Sequence, residues 1–193
     1  MKDPGHGNGE GSPGPVKRRR PPQGAVSQVV LIGFMASGKS TVGPILARRL
    51  GWRFVDLDQL IEERTRMSIP VIFEVYGEDV FRLLEAVLTR EVAGRDRTVL
   101  APGGGWVLRP ELLDELDRDA LVVWLRITPE EALRRVRRGP ANRPLLAAGD
   151  PLSTAAKLLS AREPYYRVAS HVVDVDERDP EDIAREIADK VMA

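Results

Sequence analysis

The sequence predicts a three-layer α/β fold, with helices on both faces of a five-stranded parallel sheet. Three observations carry this expectation. From Val26 onward, short β-branched runs alternate with longer stretches whose apolar residues recur at helical spacing. The run Leu121-Val122-Val123-Trp124-Leu125 is apolar without a break, as suits a parallel strand covered on both faces. Residue types that carry chemistry gather where predicted strands end, which is where open α/β sheets hold their ligands.

The elements follow in order. Val29-Val30-Leu31-Ile32 reads as the first strand, and a helix over 41–50 has Val42, Ile45, Leu46 and Leu50 on one face. Pro44 falls inside that helix; an interior proline costs ~3 kcal/mol, less near the start, so a bend is expected there. Phe54-Val55-Asp56 ends the second strand. Residues 59–66 and 69–76 read as helices and 78–93 as a longer one. Thr98-Val99-Leu100-Ala101 is the third strand, running into Pro102-Gly103-Gly104-Gly105. After the fourth strand, Thr128 is expected to cap a helix that has Pro129 in its first position, with Glu131 completing a capping box. His171-Val172-Val173-Asp174-Val175 is the fifth strand, with His171 a plain strand residue. Asp179-Pro180-Glu181-Asp182 repeats the cap-and-proline device before a last helix ending near Met192.

The chain has 193 residues, with 29 Lys+Arg against 29 Asp+Glu and no cysteine. A balanced charge supplies no general field for nucleic acid or membrane, so neither is an expected partner. Absence of cysteine excludes a disulfide scaffold and thiolate metal sites and fits a cytoplasmic address. No apolar run approaches the roughly 18 residues of a membrane span. Residues 1–25 are expected to be a disordered tail, rich in Gly and Pro and without the apolar centre of a signal peptide. Its Lys17-Arg18-Arg19-Arg20 reads as a solvated charge run. One domain is expected over 26–193.

The most selective segment is Gly33-Phe34-Met35-Ala36-Ser37-Gly38-Lys39-Ser40-Thr41, which satisfies G-x-x-x-x-G-K-[ST] between a strand and a helix. Loop N–H groups and the positive end of the helix converge on an anion there. Lys39 is placed for the β/γ-phosphates and the Ser40 hydroxyl for Mg²⁺, so binding of a nucleoside triphosphate is expected. Asp56 and Asp58 leave the second strand one residue apart. One carboxylate can assist the metal while the other meets an acceptor hydroxyl; the bland alternative makes Asp58 the cap of the helix from Gln59. Arg82 and Arg162 carry guanidinium forks suited to a carboxylate. Their bland alternatives are ion pairs with Glu78 or Glu85 and with Glu163. Three glycines at a strand end let backbone approach a ligand closely, or else form a plain tight loop. Arg134, Arg135, Arg137 and Arg138 read chiefly as a solvated helix face.

Taken together, the phosphate loop, Phe54-Val55-Asp56-Leu57-Asp58, Phe81-Arg82-Leu83-Leu84-Glu85, Gly103-Gly104-Gly105, Arg143-Pro144-Leu145-Leu146 and Arg162-Glu163-Pro164-Tyr165-Tyr166 closely resemble the shikimate kinases, from Val26 to the C-terminus. The resemblance implies a P-loop kinase fold like that of the nucleoside monophosphate kinases. It implies transfer of the ATP γ-phosphoryl group to the 3-hydroxyl of shikimate in the chorismate pathway of aromatic amino-acid biosynthesis. One Mg²⁺ per subunit, held by Ser40 and Asp56, and a cytoplasmic monomer complete the expectation. Lys39, Asp58 and Arg143 are the implied catalytic residues. Gly33, Ala36, Ser37, Gly38, Lys39, Ser40, Thr41, Arg143, Arg178 and Pro180 would hold ATP. Asp58, Phe73, Phe81, Arg82, Gly103, Gly104, Gly105 and Arg162 would hold shikimate. A lid is expected over 139–150. Ala36 stands where many of these kinases carry glycine, which matters if the position needs positive φ. Pro44 and Pro102 are further departures. The rival expectations are another small-molecule kinase on this scaffold, such as a gluconate kinase, and a non-catalytic ligand sensor.

Overall fold

The computed structural model describes residues 19, 22, 24–116, 118–138 and 150–193. Its sheet contains β1 (Gln28–Ile32), β2 (Arg53–Asp56), β3 (Thr98–Ala101), β4 (Ala120–Arg126) and β5 (His171–Asp174), ordered β2-β3-β1-β4-β5 and parallel throughout. The five-stranded parallel sheet expected from the sequence is therefore present. β1 lies at its centre, its residues in register with Thr98–Leu100 on one side and Ala120–Trp124 on the other. All of β1 is buried, as is β4 up to Arg126, so both faces of the central sheet are covered.

The helices are α1 (Lys39–Leu50), α2 (Leu57–Thr65), α3 (Ile69–Ala93), α4 (Glu111–Asp114), α5 (Pro129–Arg138), α6 (Pro151–Tyr166) and α7 (Pro180–Met192). α1 packs on α7, α2 on α3 and α5 on α6. Leu46 of α1 and Ile183 and Ile187 of α7 are fully or almost fully buried in the common core. α3 is two helices in sequence, since Gly77 has φ 81° and ψ 174°. That break separates the two segments expected at 69–76 and 78–93. No helix among the described residues is long and apolar enough to cross a membrane.

Local physics accounts for most element ends. Asp150 and Asp179 cap α6 and α7 by accepting from Leu152 N–H and Glu181 N–H. α1 passes through Pro44 without interruption, forfeiting the hydrogen bond to the Ser40 carbonyl. The capping box expected at α5 forms only by half. Thr128 Oγ1 accepts from Glu131 N–H at 3.3 Å, but the Glu131 carboxylate turns to Arg134 and Arg135. Asp176 takes Thr128 N–H instead, at 3.1 Å, because the β5–α7 loop brings a second carboxylate to that helix end. Two short elements lacked a periodic signal: α4 and a 3₁₀ turn at Trp106–Leu108. Within the tail, Arg19 is tied to the domain rather than solvated, its N–H donating to the Val168 carbonyl at 2.9 Å and Nη1 to that of Leu113 at 2.7 Å.

Candidate active site

The phosphate loop joins β1 to α1 at the carboxyl edge of the sheet. It turns through Ser37 N–H to Phe34 C=O at 3.2 Å and enters the helix at Gly38, φ 99°. Ala36 does adopt positive φ, 60°, so the methyl group sits in the left-handed region that glycine tolerates better. Lys39 folds back over the loop, Nζ donating to the carbonyls of Gly33 at 2.8 Å and Phe34 at 3.2 Å. Ser40 Oγ donates to Asp56 Oδ2 at 2.6 Å.

The paired aspartates divide their work. Asp56 caps α2, its Oδ1 accepting from Asp58 N–H at 3.1 Å and Gln59 N–H at 3.3 Å. The cap that the sequence allowed for Asp58 therefore belongs to Asp56. Asp58 is left with a buried Oδ1 that has no hydrogen-bond partner among the described residues. Burial, and next the charge of Asp56, push the Asp58 carboxyl above its usual range, with Lys39 pulling the other way.

The glycine segment after β3 closes the same corner. A Cβ on Gly103 would lie 2.7 Å from Asp58 Oδ1, and one on Gly105 would lie 3.1 Å from both terminal nitrogens of Arg82. Gly104 faces Arg162: its Cβ would be 3.7 Å from Nη1 and 3.9 Å from Met35 N of the phosphate loop. Arg82 and Arg162 thus approach adjacent glycines from α3 and α6, next to Lys39 and Asp58. A cavity of about 650 Å³ runs along this edge, lined by Lys39, Ser40, Asp56, Asp58, Gly103, Gly104, Arg135, Arg178 and Pro180 among others. Arg82 and Arg162 are not in its wall; they meet it through the glycine segment.

The shikimate kinase family description matches residues 35–192. A shikimate kinase of Thermus thermophilus is 45% identical over 163 residues, covering 84% of this chain and 89% of the relative. The chain belongs to the shikimate kinase family. A solved shikimate kinase from Acinetobacter baumannii, in complex with shikimate, is 37% identical with TM-score 0.79, covering 86% of this chain and 93% of that one. A gluconokinase from Sinorhizobium meliloti is 21% identical with TM-score 0.59 over 91% of this chain and 94% of that one, a likeness of fold alone.

As a shikimate kinase, the chain is a phosphotransferase, and the expected residues fall as follows. Residues 33–41, Asp56, Asp58 and Gly103–Gly105 come together; Arg178 and Pro180 reach the cavity from the β5–α7 loop. Phe73 and Phe81 stack 4.7 Å apart on α3, Phe73 37% exposed and Phe81 buried. Arg143 and the lid, apart from Asp150, lie outside the described residues. Both readings of Arg82 hold at once. It bonds Glu78 through Nε at 3.1 Å and Nη2 at 2.9 Å, and Glu85 through Nη1 at 2.6 Å, while its terminal nitrogens face Gly105.

Sequence reasoning gave three residues too little weight. Glu85 was only a surface partner for Arg82, yet it is buried, its carboxyl pushed up by burial and partly restored by Arg82. Its i,i+3 spacing from Arg82, on the side facing the core, was the available signal. Arg135 is not a solvated side chain: it bonds Glu131 at 2.6 Å, the Ala36 carbonyl at 3.3 Å and the Val175 carbonyl at 2.5 Å. Tyr166 is fully buried, stacks 5.6 Å from Trp124, and donates its hydroxyl to Gly104 C=O at 3.3 Å. Burial pushes that phenol up to about 12.

Proposed function

We propose that the chain transfers the γ-phosphoryl group of ATP to the 3-hydroxyl of shikimate, giving shikimate 3-phosphate and ADP. One observation carries the substrate choice: two guanidinium groups meet adjacent glycines beside a buried, partnerless carboxylate oxygen, all next to a phosphate loop. A small polyol with one carboxylate matches that set. Arg82 and Arg162 take its carboxylate, Gly103–Gly105 give the ring close backbone approach, Phe73 and Phe81 bound it, and Asp58 receives its hydroxyls.

Phosphoryl transfer asks a protein mainly for positioning and charge. The loop amides and Lys39 hold the phosphates, and Lys39 leaves the carbonyls of Gly33 and Phe34 to do so. Arg178 and Pro180 border the nucleotide, and Arg143 closes on the phosphates from a lid over 139–150 that excludes water. Asp58, short of hydrogen bonds and raised in proton affinity, orients the attacking hydroxyl and accepts its proton. The hydroxyl of Ser40 and the carboxylate of Asp56 are hard oxygen donors already 2.6 Å apart, a fit for Mg²⁺. No cluster of three or more His, Cys, Asp or Glu suited to a metal occurs among the described residues, which accords with an ion held largely by phosphate and water. When bound, Mg²⁺ supplies charge neutralisation of the transferring group. The reading includes a folded domain over 26–193, action in the chorismate pathway, and a cytoplasmic monomer.

The test is direct. Purified protein with Mg²⁺-ATP is offered shikimate or gluconate, with ADP release coupled to detection and the product identified. Shikimate 3-phosphate is expected. Turnover on gluconate alone assigns the rival kinase activity, and ATP binding without turnover on any acceptor assigns the sensor.

A further inference from the structure

The inference concerns the residue that sets the Arg82 grip, and it rests on the reading of Arg82 as a carboxylate-binding group. We propose that Arg109 is a positioning residue for Arg82, fixing the gap between the glycine turn and α3 in which the substrate carboxylate is held.

Arg109 follows the 3₁₀ turn Trp106–Leu108, which itself follows Gly103–Gly105. Its Nε donates to Glu111 at 2.7 Å, an ordinary local ion pair. Its Nη1 does something that pairing does not require: it crosses to α3 and donates to the main-chain carbonyl of Arg82 at 2.9 Å. A second stitch lies nearby, Trp106 Nε1 donating to Thr89 Oγ1 at 2.9 Å with both side chains buried. The two bonds fasten the end of the glycine turn to α3 at Arg82 and at Thr89, two helical turns further on. The glycine segment and the arginine facing it are therefore held as one body.

The tolerance in that body is small. Gly105 sits so close to Arg82 that even a Cβ would be 3.1 Å from both terminal nitrogens. Arg82 is braced on its own helix by Glu78 and Glu85, which leaves the edge facing Gly105 to receive a carboxylate. Arg109 acts on this brace as well. Glu85 is faced by Arg82 from α3, Asp58 from α2 and Arg109 from beyond the 3₁₀ turn, and the two arginines favour its ionised form. Ionised Glu85 is what keeps Arg82 Nη1 in place.

Steady-state kinetics of wild type, Arg109→Gln and Arg109→Lys, with each substrate varied and kcat/KM for shikimate followed against pH, test the proposal. The glutamine variant loses a hydrogen bond and a charge. Its KM for shikimate is expected to rise about fivefold, with KM for ATP unchanged. The acid limb of its profile is expected at higher pH, because Glu85 then protonates more readily. Lysine keeps the charge without the fork, so its acid limb stays in place while its shikimate KM rises. An unchanged shikimate KM, or equal rises in both KM values with an unmoved acid limb, overturns the proposal. Should the glutamine variant not fold, a wild-type shikimate KM in the lysine variant overturns it alone. Wild type inert toward shikimate overturns the underlying reading and this inference with it.

Discussion

Gly103 lies against Asp58 so closely that a methyl group on it would sit 2.7 Å from Oδ1 and 3.3 Å from Oδ2. Gly103→Ala must therefore push the carboxylate out of place. Since small misplacements of a reacting group are costly, kcat/KM for shikimate should fall between about tenfold and a hundredfold. KM for ATP should hold, as the phosphate loop is untouched. Wild-type kinetics would show that the Asp58 position carries no chemistry.

Asp58→Asn removes the proton acceptor while keeping shape. The fall in kcat should be at least about a hundredfold, with little change in ATP affinity. ATP titration by calorimetry beside initial rates separates the two. Weakened ATP binding with near-normal kcat would move Asp58 to the nucleotide.

Lys39→Ala should lower kcat by at least about a hundredfold, the scale for losing one preorganised charge donor. Its two hydrogen bonds to loop carbonyls are local, so the fold should survive. A folded variant with undiminished rate would end the phosphate-loop assignment.

Arg82→Ala has two separable effects. Loss of a charged hydrogen bond, ~1.5–3 kcal/mol, should raise KM for shikimate about tenfold to a hundredfold. The second effect is on stability. Burial raises the Glu85 carboxyl in the folded state, so folding binds that proton more tightly than the unfolded chain does. Its contribution is therefore most favourable in acid and is lost as pH rises through the folded value. Arg82 offsets this, and without it the loss deepens. Arg82→Ala should melt below wild type at neutral pH and approach it in acid, while Arg82→Ala with Glu85→Gln should regain the melting temperature but not the KM. Equal melting curves for wild type and Arg82→Ala at neutral pH would remove Glu85 from the Arg82 brace.

The strands were legible from the sequence because a parallel sheet buried on both faces demands unbroken β-branched runs, and Leu121–Leu125 has no other use for them. The phosphate loop was legible because its chemistry depends on backbone amides within one short segment. α4 and the 3₁₀ turn were not, being too short for a period to show. The exchange at Thr128 was not legible either, because Asp176, which displaces Glu131, is 48 residues away.

The sequence by itself determined the class of chemistry: a triphosphate loop, two aspartates, three glycines and two arginines in a fixed order. Tertiary structure alone decided their division of labour. Asp56 became the cap and Asp58 the exposed need, Arg82 acquired a brace, and Arg135 left the solvent for the Ala36 carbonyl. The physical reason is that a side chain's role is set by which partners reach it first and how far water is excluded. Those are distances between segments remote in the chain, which local spacing does not contain.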